Sequence, residues 1–506
     1  MSARAGRRGT GRDVDRLLAD FGHTLPAIPR QAPAAKDPRL FRPATTRGPF
    51  ARDRGWAPNR APVSQWRMTS DQAPALWPWI STPGLPPTGA QMGFDELSGG
   101  AFYADPVGWV LDERIPVTNN NVMIFGKPGV GKSATTKAFC LRMMDFGYRT
   151  LIVGDVKDEY EVLCRALGVE PFSIGHGLSA RINPLAIGPL GHGWEQLDAD
   201  EAQKRAAVVF SRWLTLVRGL VGSQRIGSER VPFGPTDEVV VKQALQMATG
   251  YASGYSTLRE TTIPHLWHLL NSPPPELIEA TRYESERHFL DETRLLRDAL
   301  GQLVSGALAG LFDDHSNIEL DWLAPIQSLS LSRLEPLGDE AVGIALTCLN
   351  SWGRGMREVA APGDLRVVVR DESWKQLRLG TEAVKSFDAD LRLSRSAGDV
   401  QWAVMHKPAD LLSAGDSGSQ AQTIAKDLLH LVDTKILHGQ DHGVAVELEK
   451  LLGLGRIARD AVTGWAMQGK GRALWCVGDQ QYKVQTVLHP LEKELTYTNE
   501  NLAAAS

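Results

Sequence analysis

The chain has 506 residues, 42% hydrophobic and 23% charged, the balance of a soluble globular protein that can bury a large core without disulfides or metals. No apolar run approaches the 18 residues that a membrane-spanning helix needs, and the Arg-rich start lacks the apolar segment of a secretory signal. The expectation is a cytoplasmic protein with no transmembrane segment of its own, able to sit peripherally at the inner face of a membrane. The net charge of −4 is uneven: residues 1–67 carry net +9, which leaves −13 on the rest.

Residues 1–70 form an Arg/Pro-rich arm with prolines at 26, 29, 33, 38, 43, 49, 58 and 62. This composition cannot pack a core and predicts disorder; its charge suits phosphates or an acidic protein face, so DNA is a candidate partner. Residues 71–100 are rich in Trp, Pro and Gly and read as a linker docked on the core through Trp77 and Trp79. An α/β pattern starts at about 101. The apolar run Asn121–Phe125, a Gly-rich loop, helical spacing over Ala134–Phe146 and the run Arg149–Val153 give strand, loop, helix, strand, the opening of a parallel sheet. Residues 101–192 are thus the first part of the core.

Over 193–305 strand-like runs vanish. Ala206–Gly219, Asp237–Thr249, Pro264–Leu270 and Glu284–Leu303 read as amphipathic helices, so this stretch is an all-α insertion. Strand signals return at Ser328–Leu331, Leu365–Val369, Val400–Met405, Thr434–Leu437, Arg472–Val477 and Lys483–Val487, which makes 306–490 the second part of the core and 491–506 a tail. Cys140, Cys164, Cys348 and Cys476 are scattered with no C-x-x-C pair, which predicts buried, reduced thiols rather than disulfides or zinc.

The sharpest motif is Gly126-Lys127-Pro128-Gly129-Val130-Gly131-Lys132-Ser133, followed by Ala134, which fits G-x-x-x-x-G-K-[ST] between a strand and a helix. Glycines let the backbone N–H groups wrap a phosphate, and the helix N-terminus faces the same anion. Lys132 is the residue for the β- and γ-phosphates, and the Ser133 hydroxyl a ligand for Mg²⁺, so ATP and Mg²⁺ are the expected ligands. Hydrolysis also needs acids at a strand end. The run Leu365–Val369, followed by Arg370, ends in Asp371 and Glu372; Asp371 is assigned to Mg²⁺ and Glu372 to the attacking water. Arg370 is unusual at the end of such a buried run. A further acidic group, Asp155-Val-Lys-Asp158-Glu159-Tyr160, follows the Arg149–Val153 strand, at the sheet edge where α/β ligand sites form.

These stretches, with RINPL (181–185), GLFD (310–313), RDESW (370–374), LRLSR (391–395), MHKPADL (405–411) and GKGRALW (469–475), resemble in series the conjugative type IV secretion ATPases of the VirB/TraC type, in the FtsK–HerA branch of P-loop motors, and in layout their actinobacterial mobile-element relatives. The resemblance spans about 95–490. It implies a RecA-like P-loop NTPase core with a mainly parallel sheet and an inserted all-α subdomain, acting as a homo-oligomeric, typically hexameric, ring beside a membrane-embedded secretion or conjugation channel. It also implies that Glu159 orients the water or couples to a neighbouring subunit, and that Arg392 or Arg395 acts as an arginine finger in trans. Where the family has Thr-Gln this chain has Met405-His406, which places His406 as a sensor of the γ-phosphate. The large N-terminal domain of the family's longer members is replaced by the basic arm. Two alternatives stay open: a double-stranded DNA translocase of the septal FtsK type, whose membrane helices and C-terminal winged-helix reader have no counterpart here, and an ATP-binding assembly scaffold with little turnover.

Overall fold

The computed structural model describes residues 84–497 apart from 176, 179, 192, 227–228, 252–257, 307, 318–323, 359–362, 378–380 and 408–419. The arm 1–70, the start of the linker and the part of MHKPADL after Lys407 lie outside the described residues. The strands are Ala90–Asp95 (β1), Ala101–Ala104 (β2), Val122–Phe125 (β3), Arg149–Asp155 (β4), Phe172–Ser173 (β5), Arg225–Ile226 (β6), Glu229–Arg230 (β7), Ile326–Ser330 (β8), Arg366–Arg370 (β9), Asp399–Met405 (β10), Thr434–His438 (β11), Arg472–Val477 (β12) and Gln480–Thr486 (β13). Eleven of them make one sheet in the order β2-β1-β13-β12-β11-β3-β10-β9-β4-β8-β5, while β6 and β7 form a separate small hairpin. From β11 to β5 neighbours run parallel; from β11 to β2 they run antiparallel.

The central strands are buried on both faces, which is why they read as short continuous apolar runs rather than as alternation. Ile124 of β3 stands opposite Val404 of β10 and Ile436 of β11. Alternate residues serve opposite faces. Val122 and Ile124 join Phe139, Trp402 and Trp475 on one side, and Met123 and Phe125 join Phe387, Met405 and Leu437 on the other. Phe139, on the helix Lys132–Met144, stacks on Trp402 at 4.2 Å between ring centroids, and Trp402 Nε1 donates to Thr136 Oγ1 at 2.9 Å. Those two contacts fix the helix after the phosphate loop against β10.

Among the described residues between β5 and β8, the regular elements are helices joined by loops, apart from the β6–β7 hairpin. The stretch expected as one helix over Glu284–Leu303 is two, Glu286–Glu292 and Arg294–Ser305, broken at Thr293. Thr293 departs from helical geometry at φ −88°, ψ 8° but still donates its N–H to the Phe289 carbonyl at 3.0 Å, so the two helices meet there without a gap. The helix Ala199–Ser223 is long and apolar enough to cross a membrane by length and composition alone, contrary to the reading from apolar runs; 56% of its apolar window is buried inside the fold, where Trp213, Leu216, Val217 and Leu220 join the core.

Two further readings are corrected at the antiparallel edge. The second half of the expected linker contains β1, which pairs with β13. The expected tail 491–506 begins within a helix, Pro490–Leu495, capped reciprocally by His489 and Glu492 and tied by an Arg142–Glu492 ion pair at 2.6 Å to the helix after the phosphate loop.

Arg370, odd at the end of a buried strand, has a partner. Its guanidinium donates to Gln401 Oε1 at 2.9 Å, to Asn350 Oδ1, and to Asp390 Oδ2 at 2.8 Å; Arg354 holds the other Asp390 oxygen at 2.7 Å. Asp390 is 1% exposed. Removing one member of such a group leaves uncompensated buried charge, which costs about 3–5 kcal/mol. We expect Asp390→Ala to lower the unfolding free energy by about that amount in a denaturant titration, while Asn at 390 loses less.

Candidate functional site: a phosphate loop facing two acidic strand ends

The loop between β3 and its helix is held from three sides. Gly126 N–H donates to the His406 carbonyl at 3.2 Å, Lys127 N–H to the Gly439 carbonyl at 3.1 Å, and Gly471 N–H to the Val130 carbonyl at 2.9 Å. The Lys127 ammonium meets Asp441 at 2.7 Å. Glycine is required where the chain passes closest. Gly131 has φ +107°, and a Cβ there would fall 2.8 Å from the Gly471 nitrogen. A Cβ at Gly126 would fall 2.6 Å from that of His438, a wholly buried imidazole whose pKa burial and the nearby Lys132 push down to about 3.

Lys132 is buried, and its ammonium donates to the Gly126 carbonyl at 2.7 Å and the Lys127 carbonyl at 3.0 Å, with His406 Nδ1 at 3.3 Å. Burial lowers its pKa, while Asp371 and Glu372 work against that shift. β10 lies between β3 and β9, so His406, at the end of β10, stands between the phosphate loop and the acids that follow β9. His406 Nε2 lies 3.3 Å from Glu372 Oε2. The structure thus brings Lys132, His406 and Glu372 into one chain of contacts.

Glu372 has φ +49°, a left-handed conformation that costs a side-chain-bearing residue about 1–3 kcal/mol and is held by the surroundings. Lys157 pairs with one carboxylate oxygen, and the Trp374 indole N–H donates to the other. Burial works against ionisation of Glu372, but the hydrogen bonds from His406 and Lys157 outweigh it and hold the carboxyl well below the usual range. Asp371 behaves oppositely. Burial, then the charges of Glu159, Glu372 and Asp155, raise its pKa to about 7. Asp155 is raised to about 6, chiefly by burial, although it accepts backbone N–H bonds from Glu159 and Tyr160 at 3.0 and 2.8 Å.

A cavity of about 930 Å³ opens over these groups. Gly129, Gly131, Lys132, Ser133, Asp371 and Glu372 line one part of it, and Lys157, Glu159 and His406 also reach it. Glu159 Oε2 is buried without a hydrogen-bond partner. The DVKDEY turn, expected beside the phosphate loop, is not there: it ends β4 next to the Asp371–Glu372 strand end, with β10 and β9 between β4 and β3, and reaches the cavity through Lys157 and Glu159. Among the described residues no three His, Cys, Asp or Glu side chains converge as a metal site. Ser133 and Asp371, the two residues expected to hold Mg²⁺, both line the cavity, and hard oxygen donors of this kind suit that ion.

Arg392 and Arg395 are not brought to this cavity. Arg392, on the helix Thr381–Ala397, pairs with Asp388 one turn earlier at 2.8 Å. Arg395 donates to the Thr118 carbonyl at 3.2 Å, ahead of β3, at the sheet edge opposite the loop. The RINPL and GLFD stretches also serve structure. Asn183 donates to the Thr261 carbonyl at 2.8 Å, and Asp313 accepts from Gly310 N–H at 2.9 Å.

Sequence reading missed the other wall of the cavity, formed by Lys470, Gly471, Gln485–Leu488, Lys493, Thr496 and Tyr497. The signal was present in His489-Pro-Leu-Glu492, a helix start with a capping box. It also missed Lys157 as the partner of Glu372 and Lys137, a fully buried lysine over the Tyr160 ring at 5.4 Å.

The raised pKa of Asp371 sets a sign for pH dependence. A carboxyl whose folded pKa lies above its unfolded value of 3.8 leaves the folded chain binding more protons between those values, so stability falls as pH rises from about 4 to about 7. Asp371→Asn removes that penalty while an amide can still accept the Glu372 N–H. We expect the ligand-free variant to melt higher than wild type at pH 8, by about 1–2 kcal/mol after discounting for the open cavity. The gain should shrink below pH 7 and vanish near pH 4, as scanning calorimetry across pH would read.

Neither a family model nor a curated protein matches the sequence. Solved structures do. VirB4 of Thermoanaerobacter pseudethanolicus is 19% identical, covers 81% of this chain and 100% of its own, and superposes with a TM-score of 0.61. The plasmid coupling protein TrwB in complex with ADP and Mg²⁺ is 11% identical, covers 79% of this chain and 90% of its own, with a TM-score of 0.51. The α/β chain with its mainly parallel sheet therefore shares its fold with VirB4 and TrwB.

Proposed function

We propose that this chain is an ATP-hydrolysing motor of conjugative DNA transfer or type IV secretion, working as a ring. The observation that carries the reading is the convergence of Lys132, Ser133, Asp371, Glu372 and His406 on one cavity at the strand ends. The likeness to VirB4, and to TrwB solved with ADP and Mg²⁺, supports it. The proposed reaction is attack of water on the γ-phosphoryl group: the new P–O bond forms as the bridge to the β-phosphate breaks, ADP leaves with that bridging oxygen, and the water's proton passes to an oxygen of the transferred phosphate. Lys132 and the loop N–H groups neutralise phosphate charge, and Mg²⁺, when bound, adds to that neutralisation.

Glu372 orients the water. Paired with Lys157 and His406, its carboxylate is too acidic to take a proton efficiently, since a general base works best with a pKa near the operating pH. Release of Lys157 would raise its basicity. The same pairing favours a second reading, a chain that binds ATP and turns over little until a partner rearranges the site. Arg392 and Arg395, remote from the cavity of their own copy, belong to this proposal as candidate fingers for a neighbouring copy, beside Glu159 as a coupling group.

The test is ATPase rate against protein concentration, with and without double-stranded DNA. A rate per chain that rises cooperatively supports a ring, and stimulation by DNA supports DNA transfer. A rate per chain independent of concentration and DNA contradicts both.

A further inference from the structure

A second cavity, of about 480 Å³, lies away from the nucleotide site, between the inserted helix Ala199–Ser223 and the core helix Asp339–Glu358. None of the residues that line it carries a carboxylate. Two of them, Arg212 and Arg354, carry guanidinium groups. Arg354 is committed to Asp390 and to the Ser386 carbonyl at 2.7 Å each. Arg212 is not. It is 8% exposed, its terminal nitrogen NH2 donates to the Ala186 and Ile187 carbonyls, and its Nε and NH1 are buried with no hydrogen-bond partner.

A buried guanidinium with two unused donors is costly unless a counter-group arrives. Burial lowers the Arg212 pKa to about 10, and the one opposing charge is that of Glu260, whose carboxylate accepts from the Ile187 N–H. Across the cavity Ser351 Oγ is also buried without a partner. Of the other hydroxyls, Thr215, Ser223 and Thr347 donate to carbonyls of their own helices at 2.7–3.0 Å, Ser386 Oγ accepts from Arg354, and Ser211 is exposed. Among the lining residues Arg212 and Ser351 thus carry the buried donors without a partner, and the remaining walls include Leu190, Ala207, Val208 and Leu216.

We propose that this cavity is a second ligand site, which takes a small organic anion with its charged head on Arg212 and Ser351 and its apolar body against the aliphatic wall. The volume suits such a molecule, since ligand pockets run from about 300 to about 1,000 Å³. Because the walls come from the insertion and the core, the ligand would clamp one to the other.

The probe is 8-anilinonaphthalene-1-sulfonate, a sulfonate on an apolar body, titrated into the full chain by calorimetry with saturating Mg-ATP present. The expected result is one equivalent bound and not displaced by ATP, with affinity about tenfold weaker or worse in Arg212→Gln, the loss of a charge-assisted bond. Gly222→Leu keeps Arg212 and fills the cavity from a helix position where a Cβ meets nothing within 4 Å, so it should abolish binding. If Arg212→Gln does not fold, Gly222→Leu decides alone. Unchanged affinity in whichever variant folds, displacement by ATP, or no binding to wild type at about 1 mM would overturn the assignment.

Discussion

Lys132→Ala is expected to lose phosphate-dependent nucleotide binding and with it turnover, by about a hundredfold or more, the scale set by removal of one preorganised charge-stabilising donor. The loss has two sources. The ammonium is the group placed for the β- and γ-phosphates, and in the ligand-free chain it also braces the loop through the Gly126 and Lys127 carbonyls. Fluorescent nucleotide titration separates them: Lys132→Met, which keeps the buried stem but not the charge, should bind as poorly as Ala if phosphate charge dominates. Nucleotide affinity within twofold of wild type in both variants would remove Lys132 from the site.

Glu372→Gln is expected to keep ATP binding and lose about 10²–10³ in turnover, the scale of removing one preorganised hydrogen-bonding group that positions the reacting atoms. Gln keeps the length and the hydrogen bonding to Trp374 but cannot pair as an anion with Lys157 and His406. Gln bears the same positive-φ cost as Glu, so the substitution adds no backbone strain of its own. Equal turnover in variant and wild type would assign the water to another group, with Glu159, whose Oε2 is buried without a partner, next in line.

The expectation of a nucleotide site rests on particular residue types at a fixed spacing, and the parallel strands were legible because burial on both faces gives unbroken apolar runs. His406 was singled out by the resemblance, as the residue standing where the family has Gln, and the sheet order sets it between the phosphate loop and the Asp371–Glu372 strand end, because β10 separates β3 from β9. Other features were hidden. β1 contains Gly93, lies at the antiparallel edge and has two exposed side chains, so its six residues carry a weak strand signal. The pairing of Arg370 with Asp390 joins residues 20 apart on different elements, and that of Lys157 with Glu372 joins residues 215 apart, which no local pattern records. The break at Thr293 is a change of one residue's backbone angles inside an otherwise amphipathic run, which no side-chain pattern records.

If the phosphate loop and the Asp371–Glu372 strand end act as one hydrolytic site, the full chain should release inorganic phosphate from ATP; the assay is run with Mg²⁺ and with excess chelator, beside Lys132→Ala and Glu372→Gln. Mg²⁺-dependent release in wild type, lost in both variants but with ATP still bound by Glu372→Gln, is the expected result. Tight ATP binding by wild type with no phosphate release at any protein concentration, with or without DNA, would contradict it.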